Sequence, residues 1–74
     1  MSDKPAARLY VAADLGAGTA VPLGDGQAHY LRNVLRCAPG DPVALFNGRD
    51  GEWQARIEQL GKHAGAALCE HQTR

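Results

Sequence analysis

From Trp53 to Glu58 the side chains alternate in character, with Trp53, Ala55 and Ile57 on one side and Gln54, Arg56 and Glu58 on the other. A period of two is the signature of a half-buried antiparallel strand, so this stretch commits the chain to a sheet with one dry face. Residues 42–46 form a second short apolar run, and the glycine-rich loop Asn47-Gly48-Arg49-Asp50-Gly51 joins it to residues 52–59 as a β-hairpin. A turn near Gly61 leads to a further strand over residues 64–70. Residues 8–12 (RLYVA) read as a strand with Leu9 and Val11 on one face and Arg8 and Tyr10 on the other. Residues 19–23 contain Pro22, which has no N–H for a ladder, so they can form only an edge strand.

A single helix fits between these strands. It is expected over residues 27–36, opened by Asp25, whose carboxylate suits the exposed N–H groups of a first turn. Pro39 biases Ala38 away from helical geometry and stops the helix by about Cys37. Pro39-Gly40 then suits the centre of a type II turn. Ala28, Leu31, Val34 and Leu35 form the stripe expected to face inward. Five short strands and one helix predict a mainly β (α+β) domain, a small, partly closed β-barrel with the helix across one end. Residues 1–7 are read as a disordered lead-in and residues 8–74 as the domain.

With 74 residues the core must be small, and it is expected from Leu9, Val11, Val21, Leu31, Leu35, Val43, Leu45, Phe46, Trp53, Ile57, Leu60 and Leu68. No apolar stretch suits a signal peptide or a membrane span, which predicts a soluble, cytoplasmic protein. Cys37 and Cys69 are expected to be reduced and buried. Cys69-x-His71 is a single close pair with no second knuckle, so a zinc site with His63 and Cys37 is disfavoured. Gly16-Ala17-Gly18 has no third glycine at dinucleotide-binding spacing and opens no helix. No serine or cysteine has a plausible activating base, so binding is the chemistry the residues support and catalysis is not.

The candidate binding surface is the outward helix face. His29, Arg32, Asn33 and Arg36 share it at i, i+3, i+4 and i+7 spacing. Guanidiniums can grip phosphate, an amide can read a base edge, and Tyr30, beside this face, can stack. Arg8 is a possible third cation. The competing reading is that basic residues near a helix C-terminus merely complement its dipole and face solvent. Eight basic residues balance eight acidic ones, so any pull on nucleic acid must be local.

In order and spacing, Arg8-Leu9-Tyr10-Val11, the helix His29-Tyr30-Leu31-Arg32-Asn33-Val34-Leu35-Arg36, the turn Pro39-Gly40-Asp41 and Leu45-Phe46-Asn47-Gly48 resemble the N-terminal domain of the RsmE family of 16S rRNA uridine N3-methyltransferases. The resemblance spans about residues 8–70. It implies a PUA-like barrel that helps recognise small-subunit rRNA. In the intact enzyme it implies a following knotted SPOUT domain that binds S-adenosylmethionine, usually in a homodimer. No cofactor is expected in the present residues, so this chain by itself is not expected to methylate RNA. Arg8 matches the arginine opening the family's first strand, and Arg36 the one closing its V-L-R helix motif. His29 and Asn33 match common residues, whereas Tyr30 stands where many members carry a second histidine. The helix-face reading and the resemblance together give Arg8, His29, Tyr30, Arg32, Asn33 and Arg36 as the residues expected to bind RNA. The alternative is a structural domain that packs on the catalytic domain or on a dimer mate.

Overall fold

A computed structural model describes residues 4–74. Five strands form one sheet: β1 (Arg8–Tyr10), β2 (Ala20–Leu23), β3 (Pro42–Phe46), β4 (Glu52–Leu60) and β5 (Gly65–Gln72). Their order is β1-β3-β4-β5-β2, with β1 parallel to β3 and every other pair antiparallel. The alternation seen in sequence becomes rows on the inner face, Val43 beside Ala55 beside Cys69, and Ile57 beside Ala67 beside Val21. All six of these side chains are buried. Alanines occupy the middle of both rows, a small side chain between larger ones, so facing side chains can close over them. Two register shifts along β4 and β5 bend the sheet, as extra residues in one strand do.

β1 and β2 are the free edges, which confirms Pro22 at an edge and leaves the barrel open between them. The helical segment covers that gap. It leaves β2 through Gly24, and Gln27 Nε2 donates to the Tyr10 carbonyl at the end of β1 (2.6 Å). Ala28 and Leu31 are fully buried beneath it.

The segment itself differs from the expected single α-helix. A short helix α1 (Asp25–His29) passes into a π-helical turn, Tyr30–Val34, where the Leu35 N–H donates to the Tyr30 carbonyl (3.1 Å). The helix starts at Asp25, two residues before the expected residue 27, and its cap moves from Asp25 to Gly24. Gly24 is the N-cap, and Asp25 lies in the first turn with its Oδ1 3.2 Å from His63 Nδ1. The wider turn also corrects the inward stripe. In an α-helix both i+3 and i+4 stay near the same face, but a π turn places i+4 nearly above i and swings i+3 aside. Leu35 therefore stays over Leu31 and is half-buried, while Val34 turns out and is 60% exposed.

The segment ends at Arg36, at φ 56°, the one non-glycine residue with a left-handed backbone among the described residues. Cys37 N–H then reaches back to the Leu31 carbonyl (2.7 Å), closing the end as a left-handed C-terminal residue does. The type II turn at Pro39-Gly40 is present, with Asp41 N–H bonded to the Ala38 carbonyl (3.1 Å) and Gly40 at φ 97°.

Four of the expected strands lie within two residues of their predicted bounds, and Pro42–Phe46 matches at both ends. The ladder also starts earlier than β1. Ala6 N–H donates to the Pro42 carbonyl and the Ala7 carbonyl accepts from Ala44, so two residues assigned to a lead-in run along β3. Residues 1–3 of that lead-in lie outside the described residues. Of the expected core, Leu35, Phe46, Trp53, Leu60 and Leu68 are only half-buried. Leu15, Leu23, Ala44 and Cys69 take their share of the interior instead. Trp53 sits near the open end of the inner face and uses its indole N–H on the Asp50 carbonyl (2.8 Å). No helix among the described residues is long and apolar enough to cross a membrane.

Candidate nucleic-acid interface

All four residues assigned to the polar helix face, His29, Arg32, Asn33 and Arg36, are exposed, and so is Tyr30, at 43%. Across the π turn of this exposed ribbon Asn33 stays above His29, whereas Arg32, three residues on from His29, swings to one side of that line. Asn33 Nδ2 donates to His29 Nδ1 (3.0 Å), with the imidazole proton on Nε2 as that contact requires. The amide is thus held in one orientation, its Oδ1 facing out without a partner among the described residues. One position along, Tyr30 and Val34 lie one turn apart and form an exposed apolar pair.

The charges divide sharply. Arg8 donates to Glu52 Oε1 from both Nε (3.1 Å) and Nη2 (2.7 Å) and lies 5.4 Å over the Phe46 ring. Arg49 pairs with Asp14 (2.6 Å) and Arg56 with Glu70 (3.2 Å). Arg32 and Arg36 have no carboxylate within reach among the described residues. Zero net charge therefore hides a local surplus, because several cations elsewhere are neutralised by partners and these two are not. Arg8 is not brought into this cluster as a free cation; its guanidinium is committed on the outer face of β1.

Sequence reasoning passed over two further features. Val34 joins the exposed ribbon only because of the π turn, which no local pattern announces. Asn47 proves to be a buried tie between loops. Its Oδ1 accepts from the Arg49 and Asp50 N–H groups, and its Nδ2 donates to the Ala13 carbonyl (3.0 Å) and Asp50 Oδ2 (2.8 Å). Asp50 Oδ2 also accepts from Leu15 N–H (3.1 Å). The Asn47 amide, helped by that backbone N–H, holds the Asp50 carboxyl below its ordinary value of 3.8. A carboxyl with a lowered folded-state pKa adds stability above its ordinary value, and loses it as pH falls through the lower folded-state value. The expected result is an extra acid-limb loss of melting temperature below pH 3.8 that Asp50→Asn abolishes, read from thermal melts of both proteins across that range.

Burial, and for Cys37 the nearby Asp41 charge, push both thiols above their usual value, so neither is an activated nucleophile. No three His, Cys, Asp or Glu side chains come together as a metal site among the described residues. The glycine-bearing loops are closed on the protein itself. Gly18 N–H donates to the Cys69 carbonyl, and the N–H groups of residues 49 and 50 are held by Asn47.

Residues 23–70 match the family described as the RNA methyltransferase PUA domain. The chain is 39% identical over 57 residues to ribosomal RNA small subunit methyltransferase E of Rickettsia conorii, covering 76% of this chain and 23% of that protein. Against the protein of the same name from Synechocystis the identity is 38% over 63 residues, covering 85% and 20%. The crystal structure of the Neisseria gonorrhoeae protein of that name, bound to S-adenosyl methionine, superimposes with a TM-score of 0.74 at 34% identity over 86% of this chain and 27% of the other. The chain thus spans about a quarter of the length of the relatives it matches.

Proposed function

The chain belongs to the RNA methyltransferase PUA domain family, and from that premise we propose that it is the RNA-recognition domain of a small-subunit rRNA methyltransferase. It docks rRNA through the outward face of residues 29–36. The observation that carries this is the pair of exposed guanidiniums, Arg32 and Arg36, left without carboxylates beside an oriented amide and a tyrosine. Arg8, Arg49 and Arg56 spend their donors on carboxylates, whereas Arg32 and Arg36 keep theirs available. Guanidiniums held free are the usual means of gripping phosphate.

The rest extends the family resemblance. The intact enzyme takes its methyl group from S-adenosylmethionine, in a catalytic domain that this one positions over 16S rRNA, with a uridine N3 as the target. It works in the cytoplasm as a homodimer. This domain feeds that reaction by holding RNA, and its partners are the rRNA and its own catalytic domain. A packing role has one observation in its favour: Tyr10 is 59% exposed, edge-on to Phe46 with ring centroids 5.8 Å apart, on the outer face of the sheet. That surface suits a protein neighbour, and both roles are compatible.

The test is a salt titration of binding to a small-subunit rRNA fragment. Removing a cation that neutralises one phosphate should flatten the slope of log affinity against log salt by about 0.7–0.9. Arg32→Ala is expected to flatten it by that amount, with its melt within about 0.5 kcal/mol of the parent. Salt-independent binding, or an unchanged slope in the variant, would reject the helix ribbon as the RNA contact.

A further inference from the structure

We infer that the helix ribbon is built for an unpaired stretch of RNA, with one extruded base stacked on Tyr30, in preference to duplex RNA. This rests on the proposal that the ribbon meets RNA, and adds the class of RNA it takes.

A surface made only to grip a double helix needs cations and hydrogen-bonding groups, because duplex RNA is met mainly through phosphates and 2′-hydroxyls. This ribbon has more. Tyr30 and Val34, at 43% and 60% exposure, place an aromatic ring and an aliphatic side chain next to each other in water. Val34 faces outward because of the π turn, and π turns recur at functional sites. An exposed aromatic and free arginines on one short segment are the combination that binds single strands, where the ring stacks with a base and the cations follow the backbone. Here Tyr30 and Arg32, two residues apart, point to different sides of the segment, so a strand would cross it from ring to cations. Arg32 and Arg36 provide those cations among the described residues, and neither is drawn away by a carboxylate.

Asn33 completes the set. Its contact with His29 Nδ1 uses one N–H, leaving Oδ1 and the second N–H free side by side. An acceptor and a donor so placed match a base edge that offers a donor next to an acceptor. Such an edge is accessible once the base leaves the helix.

The experiment measures fluorescence anisotropy of the 74-residue protein with a labelled mixed-sequence RNA oligonucleotide, single-stranded and annealed to its complement. The single strand is expected to bind at least about tenfold tighter. Loss of one base stack should weaken it by about 5- to 150-fold in Tyr30→Leu, while Tyr30→Phe keeps affinity within about twofold, since the ring face is retained. Duplex binding should be indifferent to both variants. Arg32→Ala/Arg36→Ala is expected to weaken both forms. Equal affinity for the two RNAs, or single-strand affinity unchanged in Tyr30→Leu, overturns the inference while the arginine variant still reports on the ribbon. No binding of either RNA overturns this inference together with the proposal it rests on.

Discussion

Leu31→Ala is expected to unfold a large share of the protein. Leu31 is fully buried and is the largest side chain that the helical segment sends into the core. Truncating a leucine at such a site costs about 2–5 kcal/mol, the transfer energy of the deleted atoms and the cavity they leave. A domain of this size holds about 3–5 kcal/mol altogether. The neighbours offer little relief, because Ala28 is small and Leu35 is only half-buried. A thermal melt of Leu31→Ala beside Val34→Ala checks this. The exposed valine should shift stability by within about 0.5 kcal/mol, although a helix with a regular stripe would bury it. Similar melts for the two variants would mean that the segment does not close the barrel. Trp53→Ala is expected to be milder than a fully buried tryptophan would suggest, since the ring is half-buried and its hydrogen bond goes to a loop carbonyl.

Arg36→Gly is expected to move stability and RNA affinity in opposite directions. A non-glycine residue at φ 56° sets its Cβ against backbone at a cost of about 1–2 kcal/mol, and glycine removes that strain while adding unfolded-state entropy. The net gain should be up to about 1 kcal/mol, read as a higher melting temperature. The guanidinium, however, is gone. A hydrogen bond to a charged partner contributes about 1.5–3 kcal/mol, so affinity for the rRNA fragment should fall by about 10- to 150-fold. Arg36→Ala separates the two effects: affinity drops as in the glycine variant, but the strain stays and the melt barely changes. If Arg36→Gly lowered the melting temperature instead, the side chain would be a cap on its own helix carbonyls, and its place on the RNA face would be refuted.

Much of this molecule is legible in local chemistry. The hairpin Pro42–Phe46 to Glu52–Leu60, the edge position of Pro22 and the turn at Pro39-Gly40 depend on residues close in the chain. Alternation, a missing N–H and a glycine's tolerance of positive φ act within a few residues. The outward direction of His29, Arg32, Asn33 and Arg36 was readable for the same reason, because a helix with one greasy side must expose the other. The order of motifs along the chain carried the family resemblance as well.

Other properties depend on groups brought together from afar. Arg8 and Arg36 look alike as sequence, but Arg8 is bound to Glu52, 44 residues away, and Arg36 to no carboxylate among the described residues. Which cations stay free follows from strand order, since the sheet places β1 beside β3 and β3 beside β4 and so sets Arg8 next to Glu52. Phe46 is only half-buried because its register with Tyr10 and Glu52 puts it on the outer face beneath Arg8, while Trp53 is on the inner row with Leu9 and Leu45 yet stays half-buried. Periodicity assigns a face but not a depth. The π turn belongs here too. A regular helix would put Val34 near the same face as Leu31 and Leu35; the wider turn keeps the two leucines inward and turns Val34 outward. By itself the sequence determined the strands, the place of the helical segment and the family. The tertiary structure decided which arginines are free and how the helical turn is wound, because both are set by contacts between segments that no local pattern contains.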